Sequence, residues 1–163
     1  MRNKGLLIIV LLTLVSLTTR AQYLHQPGDK ALDFEGVTVN GEQYHLYESQ
    51  AEWIIVCFWA VDCDHCHDFL KSLRRNVDLK HDYELVTFAL ADDDRQVRRK
   101  ARCMRLHGYH FFDPDGWDSA PFLDYDVMTT PTVVLIDKEK NIIGEAFEWE
   151  EFKELIDGIK DKR

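Results

Sequence analysis

The stretch that most constrains this chain is Trp53-Ile54-Ile55-Val56-Cys57-Phe58-Trp59-Ala60-Val61-Asp62-Cys63-Asp64-His65-Cys66. It opens with eight apolar residues that show no alternation, the pattern of a strand buried on both faces in the middle of a parallel or mixed sheet. The period then changes. Cys66, Phe69, Leu70, Leu73 and Val77 fall on one face of a helix. A Cys-x-x-Cys pair therefore lies where a central strand ends and a helix begins. Free backbone N–H groups and the positive end of the helix dipole meet there, and both stabilise a thiolate. Cys63 is expected near the N-cap, outward and open to attack. Cys66 is expected one turn inside, within reach of Cys63.

The remaining pattern supplies the sheet around that strand. Residues 34–39 and 42–46 flank Asn40-Gly41 and predict a β-hairpin with a tight turn. Residues 84–91 form a second buried strand. Asp92-Asp93-Asp94 opens a basic helix in which Val97, Ala101 and Met104 share a face, with its arginines as a solvated side. Short strands are expected at 109–112, 132–136 and 141–147, a short helix at 120–125, and an amphipathic helix through Trp149, Phe152, Leu155, Ile156 and Ile159. Strands alternating with helices imply an α/β fold with a parallel core and right-handed crossovers. The last two strands add an antiparallel edge, and helices cover both faces.

The first residues read differently. A basic Met1-Arg2-Asn3-Lys4 precedes an apolar run from Gly5 to Leu17, and Thr19-Arg20-Ala21 follows. This is the pattern of a secretory signal peptide cleaved after Ala21, leaving residues 22–163 as the folded domain. The run is short for a membrane span, so the chain meets a membrane only if this segment stays uncleaved. Removal takes away three of the 20 Lys and Arg and none of the 29 Asp and Glu, leaving a formal charge of −12. That surface disfavours nucleic acid. Export implies an oxidising compartment, here the periplasm. Four cysteines are too few for a disulfide scaffold of this size.

Phe58-Trp59-Ala60-x-x-Cys63-x-x-Cys66 resembles the active-site signature of thioredoxin-like proteins. Met128-Thr129-Thr130-Pro131-Thr132-Val133-Val134-Leu135-Ile136-Asp137 resembles their cis-proline strand. With the N-terminal hairpin and the export signal, the chain looks closest to the TlpA/ResA-type extracytoplasmic thiol–disulfide oxidoreductases over roughly residues 25–161. The resemblance implies a central mixed sheet flanked by helices with an N-terminal hairpin extension. It implies Cys63 and Cys66 as the redox pair, a cis Thr130–Pro131 bond, and substrate contact at Thr130, Pro131 and Trp59. Trp59 also reads as packing beneath the cysteine loop. Implied partners are protein substrates carrying disulfides or thiols and an upstream membrane thiol–disulfide donor; no cofactor is needed. Two departures stand out. Many thioredoxins carry a buried acid six residues before the first cysteine, where this chain has Cys57, so Asp68 or water would have to relay the proton. The intervening pair is Asp64-His65, and a His before the second cysteine occurs in isomerase-like and oxidising relatives. His65 would lower the pKa of Cys63, while Asp64 would oppose it.

Other readings stay open at this stage. The pair can be a structural disulfide, and the domain a redox-inert protein-binding module. Cys63-Asp64-His65-Cys66-His67 also satisfies the Cys-x-x-Cys-His pattern of c-type haem attachment, although His67 reads here as an exposed residue of the first helical turn. A zinc site is not expected, because the histidines are scattered and no second Cys-x-x-Cys exists. Cys57 reads as a small core residue, and Cys103 as inert packing or a partly exposed thiol.

Overall fold

The computed structural model describes residues 25–79 and 81–160; the expected signal segment at residues 1–21 lies outside them. Two short antiparallel strands come first, β1 (Glu35–Val37) and β2 (Gln43–His45). A 3-10 turn at Leu46–Glu48 leads into β3 (Trp53–Ala60). Then come α1 (Asp64–Asn76), β4 (Tyr83–Leu90), α2 (Asp94–Met104) and β5 (Tyr109–Phe112). A second 3-10 turn (Gly116–Asp118), α3 (Ala120–Asp124), β6 (Thr132–Asp137), β7 (Ile142–Ala146) and α4 (Trp149–Lys160) complete the fold.

The apolar run takes the centre of a five-stranded sheet of order β5-β4-β3-β6-β7. β3, β4 and β5 are parallel, whereas β6 runs antiparallel to β3 and β7 antiparallel to β6. Both crossovers, β3-α1-β4 and β4-α2-β5, step the same way across the sheet, and right-handedness places both helices on one face. Ile55, Cys57 and Trp59 point to that face and meet Cys66, Phe69 and Leu70 of α1, Val97 of α2 and Phe152 and Ile156 of α4. Ile54, Val56 and Phe58 point the other way, against Tyr44, Leu46, Phe122 and Tyr125. The second face is therefore covered by the five-residue α3 together with the hairpin. Phe58, Phe88 and Phe111 stack across three adjacent strands there, with ring centroids 5.3 and 5.1 Å apart.

The hairpin departs from the expected two-residue turn. Its strands stop at Val37 and Gln43. The Thr38 hydroxyl accepts from the N–H groups of Asn40 and Glu42. Thr38 N–H donates to Glu42 O and Gly41 N–H to Thr38 O, closing the turn over Val39 and Asn40, and the Val39 N–H donates to His110 O, 2.8 Å away, which ties the turn to β5. Asp93 is the N-cap of α2, its carboxylate accepting from Gln96 N at 2.9 Å, which moves the helix start past the first two acids. Among the described residues no helix is long and apolar enough to cross a membrane.

Candidate active site

The antiparallel pairing of β3 with β6 builds the site. Phe58 lies opposite Thr132, so the residues just before β6 reach the end of β3, where the cysteine loop leaves. Three backbone bonds shape that loop. Val61 N–H donates to Leu90 O at 3.0 Å, Cys63 N–H to Ala60 O at 3.2 Å, and His67 N–H to Cys63 O at 3.1 Å. Cys63 is the N-cap of α1, with extended backbone, and its Sγ accepts from Cys66 N–H at 3.0 Å. The two cysteines form a disulfide with Cα atoms 5.3 Å apart. Cys66 is fully buried and Cys63 partly exposed. The Cys63 sulfur lies 3.9 Å from Thr130 O. The Thr130–Pro131 bond is cis, as the resemblance implied, and the Thr132 hydroxyl donates to Thr129 O at 2.8 Å, closing the turn before β6. Met128 stands beside this turn with 82% of its surface exposed.

The neighbours of the pair divide into supports and surface groups. Trp59 has no exposed surface. It packs beneath the cysteine loop, which corrects the expectation that it also touches substrate. Cys57 is fully buried on the same face of the sheet as Trp59 and Cys66, and desolvation pushes its thiol strongly up. It is a core residue, and position 57 supplies no carboxylate. Asp68 is exposed on α1 and bonded to Lys71 at 3.0 Å. That hydrogen bond and the lysine charge hold its carboxyl below the usual range. Asp64 is exposed, and His65, about half exposed, reaches away from α1 to Glu148, 3.2 Å from its Nε2. Cys103 is exposed in the last turn of α2.

His67 is the residue whose placement the sequence missed. Its side chain is only 12% exposed. The ring folds under the loop, with Nε2 2.9 Å from Val61 O, against the edge of Trp59 with centroids 6.3 Å apart. Among the described residues, no three His, Cys, Asp or Glu side chains gather in a metal-binding arrangement.

The family model described as AhpC/TSA matches residues 27–144. The chain belongs to the AhpC/TSA family. Among curated relatives, the thioredoxin-like protein YneN of Bacillus subtilis (strain 168) is 29% identical over 125 residues, covering 72% of this chain and 69% of YneN. Among solved structures, a thiol-disulfide oxidoreductase from Bacteroides fragilis superposes with a TM-score of 0.70 at 19% identity, over 80% of this chain and 99% of that one. A secreted disulfide oxidoreductase of Mycobacterium tuberculosis gives 0.65 at 17% identity, over 77% and 95%. This AhpC/TSA protein thus has a thioredoxin-like fold with a Cys-x-x-Cys pair at the head of its first long helix. Its fold is shared with solved proteins named as thiol–disulfide oxidoreductases.

Proposed function

We propose that this chain is an exported thiol–disulfide oxidoreductase that reduces disulfides in protein substrates, with Cys63 as the attacking and Cys66 as the resolving cysteine. The observation that carries this is the asymmetry of the pair. Cys63 is partly exposed at a helix N-terminus, accepts a backbone N–H and lies beside Thr130 O, while Cys66 is sealed beneath it. Charge-assisted hydrogen bonding from Cys66 N–H and the helix dipole favours the Cys63 thiolate. That thiolate attacks one sulfur of a substrate disulfide, forming a mixed disulfide and expelling the other sulfur as a thiolate, which takes up a proton. Thr130 and Pro131 line the substrate chain at this stage. Cys66, deprotonated to solvent, then attacks Cys63 and releases the second substrate sulfur as a thiolate, which takes up a proton in turn. Two electrons have passed to the substrate, and Cys63–Cys66 is oxidised again. A membrane thiol donor upstream restores the dithiol.

The pattern of residues 1–21 and the secreted mycobacterial neighbour support the exported setting. The haem reading loses its ligand, since His67 Nε2 already faces Val61 O beneath the loop. The experiment uses C66S and C63S with a disulfide-bonded protein such as insulin. C66S is expected to accumulate a mixed disulfide through Cys63, seen as a dithiothreitol-sensitive mass increase. C63S should form none and lose reductase activity by at least ~100-fold, in line with removal of a covalent nucleophile. Wild-type protein that is inert towards insulin and other disulfides would instead favour the redox-inert binding module.

A further inference from the structure

We propose that His67 is a positioning residue for the Cys63 sulfur, an inference that rests on the oxidoreductase reading above. A carbonyl can only accept a hydrogen bond, so the contact between Val61 O and His67 fixes the proton on Nε2. The other ring nitrogen, Nδ1, lies 3.7 Å from the Asp64 carboxylate. The ring is walled by Trp59, and its near burial leaves it little freedom. Val61 is therefore held on both sides: its N–H by Leu90 O at the end of β4, and its C=O by His67 on α1. Two residues later comes Cys63, whose own N–H is tied to Ala60 O and whose sulfur accepts from Cys66 N–H. The His67 side chain thus adds to its own backbone N–H bond with Cys63 O a second link between the strand-to-cysteine loop and the helix carrying Cys66, and so helps aim the Cys66 N–H at the sulfur.

That alignment matters most in the dithiol form. In the disulfide form the covalent bond holds the two sulfurs together whatever the loop does. In the dithiol form only non-covalent contacts hold the Cys63 thiolate over the helix N-terminus. Releasing Val61 O costs the thiolate part of its hydrogen bonding and shifts the equilibrium towards the disulfide.

The test compares H67Q with H67N. Glutamine places an N–H where Nε2 stands and can still reach Val61 O; asparagine places it where Nδ1 stands and cannot. Each folded variant is equilibrated with reduced and oxidised glutathione, and the Cys63–Cys66 dithiol-to-disulfide ratio is read by thiol trapping. H67Q is expected within twofold of wild type. H67N is expected to move about tenfold towards the disulfide, a fall of about 30 mV in reduction potential, with the alkylation pH profile of Cys63 moved to higher pH. A role in packing alone would lower Tm and leave potential and profile in place. A shift below threefold in H67N, or an equal shift in both variants, overturns the proposal while leaving the oxidoreductase reading intact. A wild-type pair that fails to exchange at all overturns both.

Discussion

Cys63 and Cys66 differ by three positions in sequence and by nearly everything in environment, and the surrounding charges tune that difference. His65 does not stand free over the pair; its Nε2 is paired with Glu148 near the start of α4. The carboxylate sets a negative charge against the imidazole beside the pair. E148Q removes this negative charge from beside the pair and should stabilise the Cys63 thiolate. The expected outcome is a two- to threefold shift towards the dithiol in a glutathione titration, fading in ~1 M salt because both groups are exposed. A second residue-level prediction concerns Gly108, which has φ of 152°. A Cβ there would run into the carbonyl oxygen of Leu85. G108A combines a strained backbone with a backbone clash and should cost about 1–3 kcal/mol, each kcal/mol lowering Tm by about 2–4 °C. Thermal unfolding followed by circular dichroism checks it.

At the level of elements, β3 with α1 and the residues leading into β6 were readable because their signals are local. An apolar run without alternation, an i, i+3, i+4 face after Cys66 and a Thr-Pro before five β-branched or leucine residues each specify their own stretch. The hairpin ends were not readable, because Val39 spends its N–H on His110, over 70 residues away in the chain. His67 escaped for the same reason: nothing in Cys-x-x-Cys-His indicates that the ring turns back to Val61, and the loop that receives it exists only once β3 and α1 are in place. β7 carries a pH-dependent element. Glu145 is half-buried there, and desolvation, reinforced by Asp126 and partly offset by His25, raises its carboxyl pKa. The folded state then holds the proton more tightly than the unfolded chain. This contribution to stability is complete below the unfolded pKa of about 4.3 and is lost as pH rises through the folded value. E145Q should flatten that part of the profile and be more stable than wild type at pH 7, as read from urea midpoints between pH 4 and 7 at constant salt.

The whole molecule is a sheet with unlike layers. One face carries α1, α2 and α4 over Trp59, Cys57 and the buried Cys66; the other carries an aromatic stack closed by the hairpin and α3. Two rigid layers hold the end of β3 and the start of β6 in register, so that the sulfur of Cys63 and the carbonyl of Thr130 face each other across the strand ends. The fold class was legible as a whole, because alternating strand and helix periods with right-handed crossovers leave few topologies. Which side chains support the pair was not, since that depends on which groups the two layers bring under one loop. The most direct test of the account is a redox titration of the protein against glutathione or dithiothreitol, with thiols trapped and every cysteine mapped by mass. Cys63 and Cys66 should titrate together as one two-electron couple, near thioredoxin's about −270 mV and far from the about −120 mV of a strong oxidant, with buried Cys57 unmodified throughout. A pair that stays oxidised across the whole range, or exchange that maps to Cys103 instead, would contradict it.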